Sequence, residues 1–470
     1  MAGSLGSGGV SAGSGGTATT GGTAGGAGAG GSNAGAGGTA GAGGALVQLP
    51  IEQLQRNFVD LRFGMFLHFG ILTYTGSWSQ ANLPISQFNP THHDGFALWP
   101  SAASNFNVKS IPWKGGKGDV VREYVDAFRA KGLQPGLYYS IWDNTEGAGN
   151  DTPLTAAQMS YVKTQITELL SNYGPIPILV VDGWSWKSGH HTIAYEEIRR
   201  LVKSLQPNCL PTDHTHLADP WEVDVANFEE PAGGFAPANN TYAAQQEQKI
   251  NASGGNDWFW APNIGGLMSR TSIVDGHLKL LEPRWTNFIL NCPPNRDGLL
   301  DSAIVTRLAE VGAAWSPNAS RPPLPAQLPV IEHPYAPVSA TATSGNAANA
   351  IDGKNDRNSF TMWQTTGPLP QSITLDLGQV RADVSMLDYV PRYVNTGGGT
   401  GSTDGAITSY TISVSSNGTT YSQAGTGTWA ADGKMKHAAF TPVAARYVRL
   451  TANTVMGTAA VATEITVGAK

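Results

Sequence analysis

Between about Ala45 and about Ala314, apolar runs of strand length alternate with segments whose apolar residues follow a helical period. The strand candidates are Phe63 to Gly70, Leu133 to Ser140, Ile176 to Asp182, Cys209 to Thr212, Val225 to Glu229 and Asn287 to Asn291. Between them, Thr155 to Tyr173 sets Met159, Val162, Ile166, Leu169 and Leu170 on one helical face, and Tyr195 to Leu205 and Ser302 to Trp315 repeat the pattern. Strand and helix alternating over about 270 residues predict a parallel α/β fold, for which a (β/α)8 barrel is the commonest solution at this size. A barrel keeps its chemistry at the C-terminal ends of its strands, so polar residues there are the first candidates.

After Trp315 the period changes. Pro317 to Pro337 is too rich in proline to run as helix or ladder and predicts a semi-rigid spacer. Beyond it, period-2 runs such as Ser372 to Leu377, Tyr410 to Val414 and Arg446 to Leu450, separated by Gly and Asn turns, predict an all-β sandwich. At the other end, residues 1–44 are almost wholly Gly, Ala, Ser and Thr, which cannot bury enough apolar surface to offset chain entropy. The expected order is therefore a disordered tract (1–44), an α/β barrel (45–316), a linker (317–337) and a β-sandwich (338–470). A tether at the front implies a removed export signal or lipid anchor, or a mis-assigned start; a tolerated low-complexity tail is the other reading.

Composition narrows the partners. A net charge of −6 with no dense basic run argues against nucleic acid. No stretch approaches about 18 consecutive apolar residues, so no membrane-spanning segment is expected, and the start at Met1 lacks the basic and apolar regions of a secretory signal. Two cysteines, Cys209 and Cys292, cannot build a disulfide framework and read as core thiols. Thirteen Trp among only 14% charged residues suit a carbohydrate-handling protein.

The run Ile178 to Gly183 ends in Asp182, and a carboxylate closing an apolar strand is costly unless used or paired. Gly183 would let another group approach the backbone there; a cap on the next helix is the alternative use of the Asp. Forty-seven residues on, Phe228-Glu229-Glu230-Pro231 ends another strand and supplies a second carboxylate on the same rim. Two carboxylates flanking a bond are what glycoside hydrolysis needs, although a Glu-Glu pair is also ordinary surface charge. His68 ends the first strand and His92-His93 opens the segment leading to Trp99. Imidazoles donate to sugar hydroxyls while an aromatic face such as Trp99 or Trp78 packs on a pyranose. A metal at His92-His93 is the weaker reading, because adjacent residues on an extended segment point apart.

Taken together, Phe66 to Gly70, His92 to Phe96, Trp99 to Ser101, Gly136 to Ser140, Val181 to Gly183 and Asn291 to Gly298 resemble the α-L-fucosidases of glycoside hydrolase family 29 over about residues 50 to 316. The resemblance implies a retaining exo-fucosidase that takes terminal fucose from glycans, with no cofactor for catalysis. It implies Asp182 as nucleophile and His68, His92, His93 and one of Tyr138 or Tyr139 on the fucose hydroxyls. The acid/base is assigned to Glu229, with Glu230 next and Glu247 third. Where the family carries an aromatic two residues before the nucleophile, this chain has Val180, so the floor under the sugar falls to Trp184 or Trp258. Thr91 runs straight into His92, where family members have roughly two dozen residues, a helix plus a strand. One βα unit of the barrel is thus expected to be missing, and a glycan-binding protein that has lost turnover is the competing reading.

The C-terminal part has its own signature in Ala350 to Gly353, Thr361 to Trp363, Arg446 to Leu450 and Ala462 to Ile465. It resembles discoidin, or factor 5/8 type C, modules and related galactose-binding modules. The resemblance implies a structural Ca²⁺ held by the hard oxygens of Asp352, Asp356, Thr361 and Glu464, with an ordinary Asp-Gly turn as the alternative. Trp363, Tyr393 and Trp429 are the aromatic candidates for a sugar face. The whole suggests a secreted or cell-surface protein of bacterial type acting on fucosylated glycans.

Overall fold

The computed structural model describes residues 48–75, 93–147, 154–183, 195–213, 223–230, 234–251, 258–262, 265–327, 331–352, 361–392, 403–431 and 435–470. The predicted tether lies outside them.

The α/β part holds β1 (Phe63–Phe66), β2 (Leu137–Ser140), β3 (Ile178–Asp182), β4 (Leu210–Asp213), β5 (Ala226–Glu229), β6 (Ala244–Lys249) and β7 (Thr286–Asn291). Its main helices are α1 (Ile51–Val59), α2 (Val120–Ala130), α3 (Ala156–Asn172), α4 (Tyr195–Leu205) and α5 (Ser302–Ala314). Local chemistry starts them. Asp119 Oδ1 accepts the Arg122 N–H at 2.8 Å ahead of α2. Ahead of α3, Thr155 and Gln158 exchange side-chain and backbone bonds in a capping box.

The strands pair in parallel in the orders β1-β7-β6-β5 and β2-β3-β4. Among the described residues no ladder joins β1 to β2 or β4 to β5. The junction at Thr91-His92, where a missing βα unit is expected, lies outside the described residues. All six predicted strands are present. One was not predicted: β6, Ala-Gln-Gln-Glu-Gln-Lys, has no apolar alternation to announce it.

Alternation along the strands separates two environments. Leu137, Tyr139, Leu179 and Val181 pack outward on Val162, Ile166 and Leu169 of α3 and on Ile198 and Val202 of α4. Phe288, Leu290, Ile250 and Cys292 pack outward on the helical turns of 270–281 and on α5. The opposite face is polar: Glu229, Gln245, Glu247, Lys249, Asn287 and Asn291 follow the inward parity. Cys209 and Cys292 are free, buried thiols pushed up to about 12 by desolvation, core residues as expected.

The C-terminal part is all antiparallel: β8 (His333–Tyr335), β9 (Ser339–Ala342), β10 (Trp363–Gln364), β11 (Gln371–Val390), β12 (Ile407–Ser415), β13 (Ser422–Thr428), β14 (Lys436–Val455), β15 (Val461–Ala462) and β16 (Glu464–Ala469). Its main sheet runs β13-β12-β14-β11-β16-β8 with β9 on β11, and β10 pairs β15 apart from it. Between them lies a core of Trp363, Leu375, Leu387, Tyr389, Ile412 and Leu450.

The predicted spacer is docked rather than loose. Trp285 Nε1 donates to Pro322 O (3.1 Å), Arg321 to Val59 O (3.2 Å), and Gln327 both accepts from Ala243 N (3.0 Å) and donates to Thr241 O (3.1 Å). Its last residues become β8, an edge strand that tolerates Pro334. Polar side chains between the prolines supply this docking, which proline content alone does not reveal.

Candidate active site

Asp182, the last residue of β3, is buried at the C-terminal end of its sheet. The Tyr138 hydroxyl donates to its Oδ2, and the Gly183 N–H donates to its Oδ1 at 2.5 Å. Tyr138 sits beside it in register because β2 and β3 pair with Tyr138 opposite Val180 and Ser140 opposite Asp182. Burial, then the charge of Asp182, push the Tyr138 phenol well above 10, so it stays a neutral donor. Weaker contributions to the same shift come from Glu247 and Glu229. One phenol thus feels all three carboxylates.

Gly183 adopts φ +92°, and a Cβ there would lie 2.5 Å from the Trp142 backbone nitrogen. The group that Gly183 admits is therefore Trp142, whose indole stacks on the His93 ring at 4.1 Å. His93 Nδ1 meets Ser140 Oγ at 2.5 Å, and that hydroxyl donates to Trp142 O at 2.8 Å. With the Ser proton so engaged, Nδ1 carries a hydrogen and donates it to Ser140 Oγ, while Nε2 faces Asp182 Oδ2, 4.0 Å away.

His68 is fixed by the same logic. Asn291 spends its amide N–H on Trp258 O (2.6 Å), so its Oδ1 accepts from His68 Nδ1 (2.9 Å). The His68 ring lies 5.1 Å from Trp258, 5.6 Å from Tyr138 and 5.4 Å from Phe66. Asp182, Tyr138, His93, His68 and the Trp258 wall are therefore brought together.

Glu229 ends β5 on the inner face, opposite Glu247 in the β5–β6 register. Glu247 is buried and accepts from Gln245 Nε2 at 2.5 Å. Three expected site residues face elsewhere. Glu230, one residue on and so on the other face, binds His277 Nε2 (2.8 Å) and Gln248 Nε2 (2.9 Å) on the helix side. Tyr139 points into the α3 core and donates to Gln165 Oε1 at 3.1 Å. Trp99 packs on that same core and donates to Glu168 Oε2 of α3 at 2.8 Å. His92 and Trp184 lie outside the described residues. Sequence reasoning missed Trp142, Ser140 and Asn291; the glycine at 183, which demands a close neighbour, was the signal available for Trp142.

In the C-terminal part, Asp352 is exposed, Thr361 and Glu464 are half-buried, and Asp356 is outside the described residues. Among the described residues no group of three His, Cys, Asp or Glu is placed to hold a metal. Thr361 Oγ1 is buried without a partner there, and an oxygen donor of that kind suits a hard cation. No helix of the described residues is long and apolar enough to cross a membrane.

Residues 85–319, half of the chain, match the family model "Alpha-L-fucosidase", and residues 336–465 match "F5/8 type C domain". Alpha-L-fucosidase 1 of Arabidopsis thaliana is 29% identical over 288 residues, 52% of this chain and 56% of that protein. Tissue alpha-L-fucosidase of Homo sapiens is 25% identical over 243 residues, 48% and 49% of the two chains. The chain spans about half the length of the curated relatives it matches. Among solved structures, alpha-L-fucosidase isoenzyme 1 from Paenibacillus thiaminolyticus is 25% identical with a TM-score of 0.45, covering 56% of this chain and 76% of its own. The family 32 CBM from C. perfringens NanJ in complex with galactose is 32% identical with a TM-score of 0.25, covering 29% and 97%.

Proposed function

This chain belongs to the alpha-L-fucosidase family, with an F5/8 type C domain following the family region, and from that membership we propose that it hydrolyses terminal α-L-fucose from glycans with retention of configuration. The observation that carries the reading is the buried Asp182, held by the Tyr138 hydroxyl and the Gly183 N–H beside His93, with Glu229 on the inner face of its own strand. Asp182, held by the Tyr138 and Gly183 donors, attacks the anomeric carbon as its bond to the leaving oxygen breaks. Glu229 gives that oxygen its proton. The fucosyl ester is then cleaved by water, which returns its proton to Glu229. His68 and His93, their tautomers fixed by Asn291 and Ser140, receive sugar hydroxyls through Nε2, and Trp258 forms the apolar wall.

An aryl α-L-fucoside tests this. Wild type is expected to release the phenol and to give α-fucose first by proton NMR, with Asp182→Asn at least about 10³-fold slower. Phenol release unchanged in Asp182→Asn, or β-fucose appearing first, refutes the mechanism. The direct run of Thr91 into His92, where the resemblance implies a further βα unit, motivates one other reading, a lectin without turnover; fucose binding with no phenol release in wild type would select it. The F5/8 type C domain is proposed to hold its glycan-binding face together with a structural Ca²⁺ at Asp352, Asp356, Thr361 and Glu464. Chelation should then lower the melting temperature of the whole protein and added Ca²⁺ restore it; an unchanged melt removes the ion from the account.

A further inference from the structure

The inner face of the barrel is rich in amides, and most of them are saturated. Asn291 serves His68 and Trp258, Asn287 serves Phe58 O and Arg62 N, and Gln245 serves Glu247. Asn251 is different: it is 3% exposed, and among the described residues neither its Oδ1 nor its Nδ2 has a hydrogen-bond partner. A buried amide with both ends unpaired is costly enough that a ligand is its natural complement.

Its position says which ligand. Ile250 packs outward against Phe288, Leu290 and Cys292, so alternation turns Lys249 and Asn251 to the inner face. Lys249 is opposite Asn291, and Asn291 is opposite Phe66. Two residues further along their chains, toward the C-terminal rim, come Asn251 and His68. Asn251 therefore belongs to the rim layer that holds His68, above the layer of Glu229 and Glu247. Asn227 also has an unpartnered amide, but it precedes Glu229 by two residues on the same face and lies below the carboxylates, away from a sugar at Asp182.

We propose that Asn251 is a specificity-determining residue for the sugar ring, its N–H donating to one hydroxyl oxygen and its C=O accepting from the neighbouring hydroxyl. The ligand class is a vicinal diol, whose adjacent hydroxyls can satisfy both ends of a primary amide at once. This rests on the fucosidase reading above for the identity of the sugar.

The test compares Asn251→Ala and Asn251→Asp with wild type on an aryl α-L-fucoside and on its 2-, 3- and 4-deoxy analogues. Asn251→Ala is expected to lose about 10- to 100-fold in kcat/KM on the parent substrate. That loss should shrink to within about threefold on the deoxy analogue lacking the contacted hydroxyl. Asn251→Asp, which keeps the shape and the acceptor but not the donor, should fall between. Equal losses on every analogue indicate a structural role and overturn the proposal, as does no loss at all. Calorimetric titration with free fucose and its deoxy forms reads the same contact without turnover. Wild type that binds fucose but releases no phenol sinks the catalytic reading alone, and the proposal then stands or falls on whether Asn251→Ala weakens that binding.

Discussion

Asp94, next to the site histidine His93, has its carboxyl raised to about 7 from an ordinary 3.8, first by burial and then by the charge of Asp143. The Phe96 N–H, which donates to Asp94 Oδ1 at 2.7 Å, only partly opposes this. Because the folded protein holds this proton more tightly than the unfolded chain, Asp94 makes stability fall as pH rises from about 4 to about 7, with the penalty fully present above 7. Asp94→Asn keeps the acceptor for Phe96 and loses the charge. It is expected to melt higher than wild type at pH 8, by about 2–4 °C for each kcal/mol relieved, and to match wild type near pH 4; a constant offset at both pH values would refute the assignment. At this scale the sequence was informative about chemical type and poor about direction. Asp182 was legible because an acid closing an apolar strand needs a purpose. Tyr138 and Tyr139, or Glu229 and Glu230, differ only in which side of a strand they occupy. Parity is fixed by what packs behind, here α3 for Tyr139 and His277 for Glu230, and a dipeptide does not carry that information.

Among elements, the strand-to-loop step at Gly183 is the tightest constraint. Gly183→Ala places a methyl against the Trp142 backbone at a left-handed φ, so the β3 exit must shift, taking with it the stack of Trp142 on His93. A loss of about 1–3 kcal/mol in stability is expected, accompanied by a fall in kcat/KM on the aryl fucoside. Unaltered activity in a well-folded Gly183→Ala protein would mean that this step does not set the His93 wall. The strands with apolar alternation could be read ahead of the structure, whereas β6 could not. Its inner side chains line a polar lumen, and its outer Gln246 and Gln248 are tied to Ala236 and Gly234 and to Glu230. A strand polar on both faces has lost the period that identifies strands, which is why Asn251 just beyond it also went unseen.

Across the whole molecule, Arg199 joins the two parts. Its Nε donates to Asp224 Oδ1 at 2.7 Å, while its other nitrogens reach Ile331 O and Glu332, both at 3.3 Å, where the connector enters β8. Asp224 is fully buried, with Lys203 Nζ 3.3 Å away as its second cation. Arg199→Ala is expected to cost about 3–5 kcal/mol, because removing one partner leaves a buried carboxylate poorly compensated. Urea unfolding should report this, and a midpoint unchanged from wild type would count against the network. None of this was legible in the sequence, since residues 199, 224 and 332 meet only after the fold brings them together.

The strapped connector has a further consequence. With the segment after α5 pinned at Arg321, Gln327 and Ile331 and finishing as a rung of the second sheet, the rear domain hangs from the front one as a bracket does from a wall.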